Sequence, residues 1–251
     1  MNKKEQGLSN VSLSYSHLTK ARNRIEKKFG SQNRLAYKMS IDWQEIANDV
    51  LYKDRVTEEE EIEFDGKKYI VPKIERMINL GAGHDAENSW LAAWFKNAFK
   101  TYHSLEPDEK INSTFKSFED VPPELKYDLV ITQEVIEHIQ REEVFDFLKN
   151  ACNLVEDDGC LVLTFPNICN PALYFEHVDH VTSASYGWIA GMIEILGMKV
   201  EKAYLTAGGS GTFNEFNHVI NQSEALMSIA NFLSRYYSLH PAKSVVIVAK
   251  K

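Results

Sequence analysis

The chain has 251 residues, 44% of them hydrophobic and 25% charged, with a formal net charge of −8. That balance describes one large or two small folded domains rather than a disordered chain, and the acidic excess speaks against bulk binding to a polyanion. Cys152, Cys160 and Cys169 are too few and too irregular for a disulfide framework or a zinc ribbon, no apolar run reaches the roughly 18–20 residues of a membrane span, and no apolar segment follows Lys3-Lys4 as in a signal peptide; a cytoplasmic protein is expected.

Residues 1–72 read as a helical extension and a hairpin, a cap or substrate-selecting region. Apolar residues at Val11, Leu13, Tyr15, Leu18 and Ile25, and again at Leu35, Ile41, Trp43, Ile46, Val50 and Leu51, recur at roughly helical spacing and predict two helices. Lys20, Arg22, Arg24, Lys27, Lys28, Arg34 and Lys38 make the first part basic, and the run Glu58–Glu61 is acidic. These are two solvated faces that attract each other, or a basic lip on a site entrance. Asp65-Gly66 between Glu61–Phe64 and Lys67–Pro72 predicts a two-residue hairpin turn.

From residue 73 to 251 strands alternate with helices. Strands are predicted at Met77–Leu80, Thr101–Pro107, weakly at Ile111–Phe115, then at Tyr127–Gln133, Gly159–Pro166, Lys199–Ala207 and Ser244–Lys250. Helices are predicted at Glu87–Phe99, Glu142–Val155, Ser183–Gly197 and Ser223–Tyr237. Continuous apolar strands separated by helices predict a doubly wound, Rossmann-like α/β sheet covered on both faces. Trp90, Trp94, Phe95 and Phe99 follow helical spacing and read as core. Tyr174, Phe175, Trp188, Phe213 and Phe216 are candidates for a substrate wall, and the Gly-rich stretch 207–221 reads as a flap.

Asn79-Leu80-Gly81-Ala82-Gly83-His84-Asp85-Ala86 lies between the first of these strands and its helix. A Gly-x-Gly loop there lets backbone approach a ligand closely and aims helix amides at it. Gly81, Gly83 and Ala86 also satisfy a loose dinucleotide pattern, and Glu106, about twenty residues on, suits ribose hydroxyls under either reading.

Together with that loop and acid, YDLVITQEVIEHI and DDGCLVLTFPN resemble the core of the class I S-adenosylmethionine-dependent methyltransferases, over roughly residues 75–206 with SVVIVAK as the last strand. The branch containing ubiquinone-biosynthesis and small-molecule O-methyltransferases is the most similar. The resemblance implies a seven-stranded mixed sheet with its last strand antiparallel. It implies that Gly81, Ala82 and Gly83 wrap the methionine half of the cofactor and that Glu106 takes the ribose hydroxyls. Ser117 and Phe118 fall at the adenine, and Gln133 at the fourth-strand tip near the sulfonium. Asn79 replaces the usual acid that opens the glycine motif, Ser117 replaces the usual aspartate, and His84-Asp85 stand where a third glycine is common. The lost charges imply weaker cofactor affinity.

Glu134, Glu137 and His138 are spaced so that one helical turn presents all three to the same side, and PALYFEHVDHV adds His177, Asp179 and His180. Carboxylates and imidazoles converging in this way can hold a divalent metal, or one histidine can act as a general base, for a hydroxyl is a poor nucleophile at neutral pH. E-x-x-E-H with a later histidine resembles the metal site of small-RNA 3′-terminal 2′-O-methyltransferases and of ubiquinone O-methyltransferases. That resemblance implies Glu134, Glu137, His138 and His180 as ligands of Mg, Mn or Zn. The same motif occurs in this fold without metal, where it caps a helix. His84 and His103 carry no pattern of their own.

The sequence therefore points to O-methylation of a sugar, glycan or other small polar acceptor, with nucleic acid an improbable partner for so acidic a chain. A small-RNA end methyltransferase and a non-catalytic methyltransferase-fold binding protein stand as alternatives, and a nicotinamide dehydrogenase is disfavoured by the E-V-I-E-H segment. Oligomeric state is not encoded legibly.

Overall fold

The computed structural model describes residues 14–38, 41, 59–64, 67–72, 74–83, 99–170, 178–206, 229, 232 and 242–251, with backbone alone for 59–75. His84, Asp85, His177, Tyr174, Phe175, Phe213, Phe216, the 207–221 stretch and most of the predicted helices at 87–99 and 223–237 lie outside them. The chain divides into two compact units interleaved in sequence. One comprises Met1–Ile41, Glu134–Lys149 and Thr164–Val248, the other Asp42–Gln133, Asn150–Leu163 and Ala249–Lys251.

In chain order the elements are α1 (Tyr15–Phe29), β1 (Ala36–Lys38), β2 (Glu59–Phe64), β3 (Lys67–Pro72), β4 (Ile74–Leu80), β5 (Phe99–Leu105), β6 (Tyr127–Gln133), α2 (Val144–Leu154), β7 (Val155–Pro166), α3 (Tyr186–Ile195), β8 (Lys199–Thr206) and β9 (Ser244–Lys250). Seven strands form one mixed sheet in the order β1-β8-β9-β7-β6-β4-β5, and β2 pairs β3 as the predicted antiparallel hairpin, Phe64 opposite Lys67. β4 runs parallel to both neighbours, Asn79 standing opposite Ser104 on β5 and Ile131 on β6. The last strand is antiparallel, as expected. Lys243, before β9, bonds Thr206 and Asn167 at the far ends of β8 and β7, and Lys251, after it, bonds Gly159 near the start of β7.

The sheet reaches seven strands by an unexpected route. Ile111–Phe115 is not a strand: it meets β5 through one isolated bridge, Leu105 to Phe115. Ser104 and Thr114 instead exchange side-chain-to-backbone bonds (3.1 and 3.2 Å), and the Ser113 hydroxyl takes the Glu106 and Phe115 carbonyls. Short hydroxyl side chains compete here with a ladder. The seventh strand is β1 at the opposite edge, parallel to β8. Ala36–Lys38 therefore interrupts the second helix expected over Leu35–Leu51, and most of that stretch lies outside the described residues. Phe99 likewise begins β5 rather than ending a helix.

Helix α1 begins where Ser14 accepts from the His17 amide and ends at Gly30, with Lys27 and Lys28 in the last turn complementing the helix dipole. It buries Leu18, Ala21 and Ile25, while Tyr15, expected on the same face, is 79% exposed and leans on Trp188 at 6.0 Å. α1 packs closely on α3 because Gly191 presents no side chain: a Cβ there would stand 3.1 Å from the Arg22 backbone nitrogen. The Arg22 guanidinium covers the Trp188 ring, so this tryptophan serves the helix contact. No helix among the described residues is long and apolar enough to cross a membrane.

Candidate active site

In the second unit, β4 delivers the chain into Gly81-Ala82-Gly83. Gly81 and Gly83 both have positive φ (66° and 52°), a conformation a side chain resists, which explains the residue choice. The Gly81 and Ala82 amides bond the Leu105 carbonyl (2.8 and 3.2 Å), and the Gly83 amide donates to Glu106 Oε2 at 2.8 Å. Glu106 Oε1 accepts from the Asp108 amide at 3.1 Å. The glycine loop and the acid after β5, some two dozen residues apart in sequence, thus meet directly.

Asn79 is buried at the end of β4, and Gln133 is half-buried at the end of β6. Ser117 caps a short 3-10 turn, Phe118–Asp120, by a reciprocal arrangement in which Asp120 Oδ2 accepts from the Ser117 amide (2.9 Å) and hydroxyl (3.1 Å). Lys116 Nζ donates to the Asp108 carbonyl at 2.8 Å, fastening this corner to the segment that follows Glu106. His103 is occupied in packing: its Nδ1 lies 2.8 Å from the Tyr127 hydroxyl, Phe115 meets it edge-on, and burial lowers its pKa.

In the first unit lies the acid–histidine cluster. Glu134 directly follows β6 with φ of 52°, a left-handed conformation uncommon for a residue with a side chain and one found preferentially at functional sites. Its amide bonds the Thr164 carbonyl at 3.0 Å, and its carboxyl group is buried against the Thr164 and Ser244 side chains; burial raises its pKa. The expected helical turn is a three-residue 3-10 turn, Ile136–His138, that starts after Glu134. Glu134 is consequently bonded toward β7 and β9, while its charge still acts on Glu137 and His138.

Glu137 is 2% exposed, and both its carboxylate oxygens are buried without a hydrogen-bond partner. Burial first, then the Glu134 and Asp179 charges, push its pKa up to about 8. The Glu137 carbonyl accepts from the Val181 (2.8 Å) and Thr182 (3.0 Å) amides, and the Thr182 hydroxyl bonds the Ile139 carbonyl. These bonds seat the 179–182 segment on the turn and bring His180 beside His138, ring centroids 5.1 Å apart. His138 Nε2 is 3.9 Å from Glu137 Oε1, and its Nδ1 is 3.2 Å from Asp179 Oδ2. One ligand atom each of Glu137, His138 and His180 lie within 4.8 Å of one another. Two imidazoles and a buried orphaned carboxylate suit a divalent cation of the borderline class, and the pairing of His138 with Asp179 equally suits proton transfer. The seating of His180 by the Glu137 carbonyl was invisible in sequence, as was the left-handed bend at Glu134.

A family profile described as Methyltransferase domain matches residues 45–190. No curated protein sequence matches the chain. Among solved structures, a SAM-dependent methyltransferase from Archaeoglobus fulgidus aligns with TM-score 0.52 at 16% identity, covering 71% of this chain and 86% of that one. A putative methyltransferase from Bacillus halodurans C-125 aligns with TM-score 0.47 at 13% identity, covering 72% and 94%. The N-methyltransferase NodS from Bradyrhizobium japonicum WM9 aligns with TM-score 0.45 at 11% identity, covering 71% and 86%.

Proposed function

Since the chain belongs to the methyltransferase-domain family and is an S-adenosylmethionine-dependent enzyme of class I, we propose that it methylates a hydroxyl oxygen of a small polar acceptor such as a sugar or glycan end. The observation that carries the oxygen assignment is the grouping of Glu137, His138 and His180 around two unpartnered carboxylate oxygens. A hydroxyl must lose its proton as it attacks, so it is the acceptor class that needs such a cluster.

In this reading Gly81, Ala82 and Gly83, whose amides are already bonded to Leu105 and Glu106, would wrap the methionine half of the cofactor with their side-chain-poor backbone. Glu106 would take the ribose hydroxyls and Ser117 and Phe118 the adenine, with Asn79 and Gln133 at the strand ends around it. When bound, the cofactor would supply an activated methyl carbon to the acceptor oxygen, with its sulfur departing as the neutral thioether. The hydroxyl proton passes to an imidazole, His138 or His180, and Asp179 at 3.2 Å orients the His138 ring. Glu134, through Thr164 and Ser244, fixes the start of the turn that carries Glu137 and His138.

The residues present fit a divalent metal, because Glu137 offers two buried oxygens that no other described group satisfies. Glu137, His138 and His180 would hold it, with Glu134 adjoining, and when bound it would lower the pKa of the acceptor hydroxyl. The decisive experiment is transfer of a tritiated methyl group to nucleotide sugars, glycans, quinol precursors and a short RNA, with and without Mg²⁺ or Mn²⁺. Label on a hydroxyl acceptor supports the reading, and label confined to amines or carboxylates contradicts it.

A further inference from the structure

We propose that Gln32, in the amino-terminal segment, is a positioning residue for the acid–histidine cluster, an inference that rests on the role just given to that cluster. The family match begins at residue 45, so Gln32 is contributed from outside the matched domain. It lies in a 3-10 turn between α1 and β1 and is only 8% exposed. Its Nε2 donates to Asn167 Oδ1 at 2.9 Å, and its Oε1 accepts from the Tyr186 amide at 3.0 Å. Asn167, itself 1% exposed, donates from Nδ2 to the Ala242 carbonyl (3.1 Å) and from its amide to the Lys243 carbonyl (2.8 Å), and its Oδ1 also accepts from the Cys169 amide at 3.0 Å. Backbone amides can only donate and carbonyls only accept, so the orientation of both side-chain amides is fixed.

The three segments that Gln32 ties are those that hold the cluster. Asn167 follows β7, whose Thr164 bonds Glu134 through both backbone and side chain. Ala242 and Lys243 lead into β9, where Ser244 bonds the same carboxyl group and Lys243 offsets the charge of Glu134 and Glu137. Tyr186 opens α3, at the end of the short connection that runs from His180 through the two amides seated on Glu137. The Tyr186 hydroxyl returns to the Gly30 carbonyl, closing the arrangement on the end of α1. A buried amide bonded through both its nitrogen and its oxygen at this junction specifies one mutual placement of the segments, where an apolar side chain would merely fill the space.

Gln32→Met keeps the length and bulk but removes both bonds, and Gln32→Glu keeps an acceptor for the Tyr186 amide while setting a carboxylate against Asn167 Oδ1. In the full chain with chelator present, Gln32→Met is expected to speed amide exchange at Asn167, Lys243, Val181 and Thr182 by about ten-fold, the cost of orphaned buried groups. It is expected to shift the imidazole resonances of His138 and His180, with exchange at Met77–Leu80 and Leu129–Ile131 unchanged. Affinity for S-adenosylhomocysteine should stay within about two-fold. Unmoved imidazole resonances, or exchange that rises equally in β4 and β6, would overturn the proposal. Should Gln32→Met not fold, Gln32→Glu decides by the same criteria. Failure of the wild-type chain to bind S-adenosylhomocysteine would instead defeat the functional reading, leaving the exchange and resonance comparison to judge Gln32.

Discussion

The Gly83 amide donates a 2.8 Å hydrogen bond to the Glu106 carboxylate, joining the loop after β4 to the acid after β5. A charge-assisted bond of this kind fixes the shape of the loop, and the same carboxylate is the group proposed to receive the ribose hydroxyls. Glu106→Ala should therefore weaken S-adenosylmethionine binding by about 1.5–3 kcal/mol, read by calorimetry. An unchanged dissociation constant would remove Glu106 from the cofactor site.

Glu137 gives the clearest dependence on pH. Its pKa rises from 4.5 in the reference state to about 8 in the folded chain. Between those values the folded state binds more protons than the unfolded one, so stability falls as pH rises through that window, with a limiting slope of about 1.4 kcal/mol per unit. Glu137→Gln removes the penalty. With chelator present it should stabilise the fold by about 1–3 kcal/mol near pH 8.5 and change little near pH 4, as measured by chemical denaturation. A variant less stable than wild type at the higher pH would contradict the burial argument.

The same substitution should abolish methyl transfer, and His138→Ala and His180→Ala should each lower it by about 100-fold or more, with cofactor affinity nearly unchanged. Stripping metal with chelator separates the two chemistries. A loss restored by Mn²⁺ identifies a metal site, and undiminished transfer identifies direct proton removal by imidazole. Full activity in all three variants would exclude both.

The junction of α1 and α3 makes a purely structural prediction. A Cβ at Gly191 would press to 3.1 Å on the Arg22 backbone nitrogen, which cannot rotate away, so Gly191→Val should destabilise the chain by about 1–3 kcal/mol. Thermal unfolding measures this, and an unchanged midpoint would show that α1 yields without cost.

Much of the fold was legible because burial leaves a compositional trace. Tyr127–Gln133 and Ser244–Lys250 are buried at every position but the last, and the sequence marks them by the apolar runs Leu129–Ile131 and Val245–Ala249. The bend at Gly81 and Gly83 was legible because positive φ restricts residue type, and its bond to Glu106 joins two positions that the sequence had singled out separately. The third strand was misread because Ser104, Ser113 and Thr114 divert backbone groups into side-chain bonds, a competition that apolar spacing does not record. β1 was misread because three residues set no period of their own; tertiary pairing with β8 makes them a strand. In the cluster, the spacing of Glu134, Glu137 and His138 suggested one helical turn; the left-handed conformation of Glu134 and the 3-10 turn after it replace that turn, with Glu134 bonded to Thr164 and Ser244 and still acting on the charges of Glu137 and His138. The contributions of Val181, Thr182 and Gln32 are hydrogen bonds to backbone or to a single amide, which leave no motif.

The most direct measurement is an isothermal titration of the intact protein with S-adenosylmethionine. Saturable uptake of one molecule per chain, diminished by Glu106→Ala and untouched by His138→Ala, is the expected result. Absence of heat and of retained ligand at millimolar donor would show that this fold no longer serves the chemistry of its family.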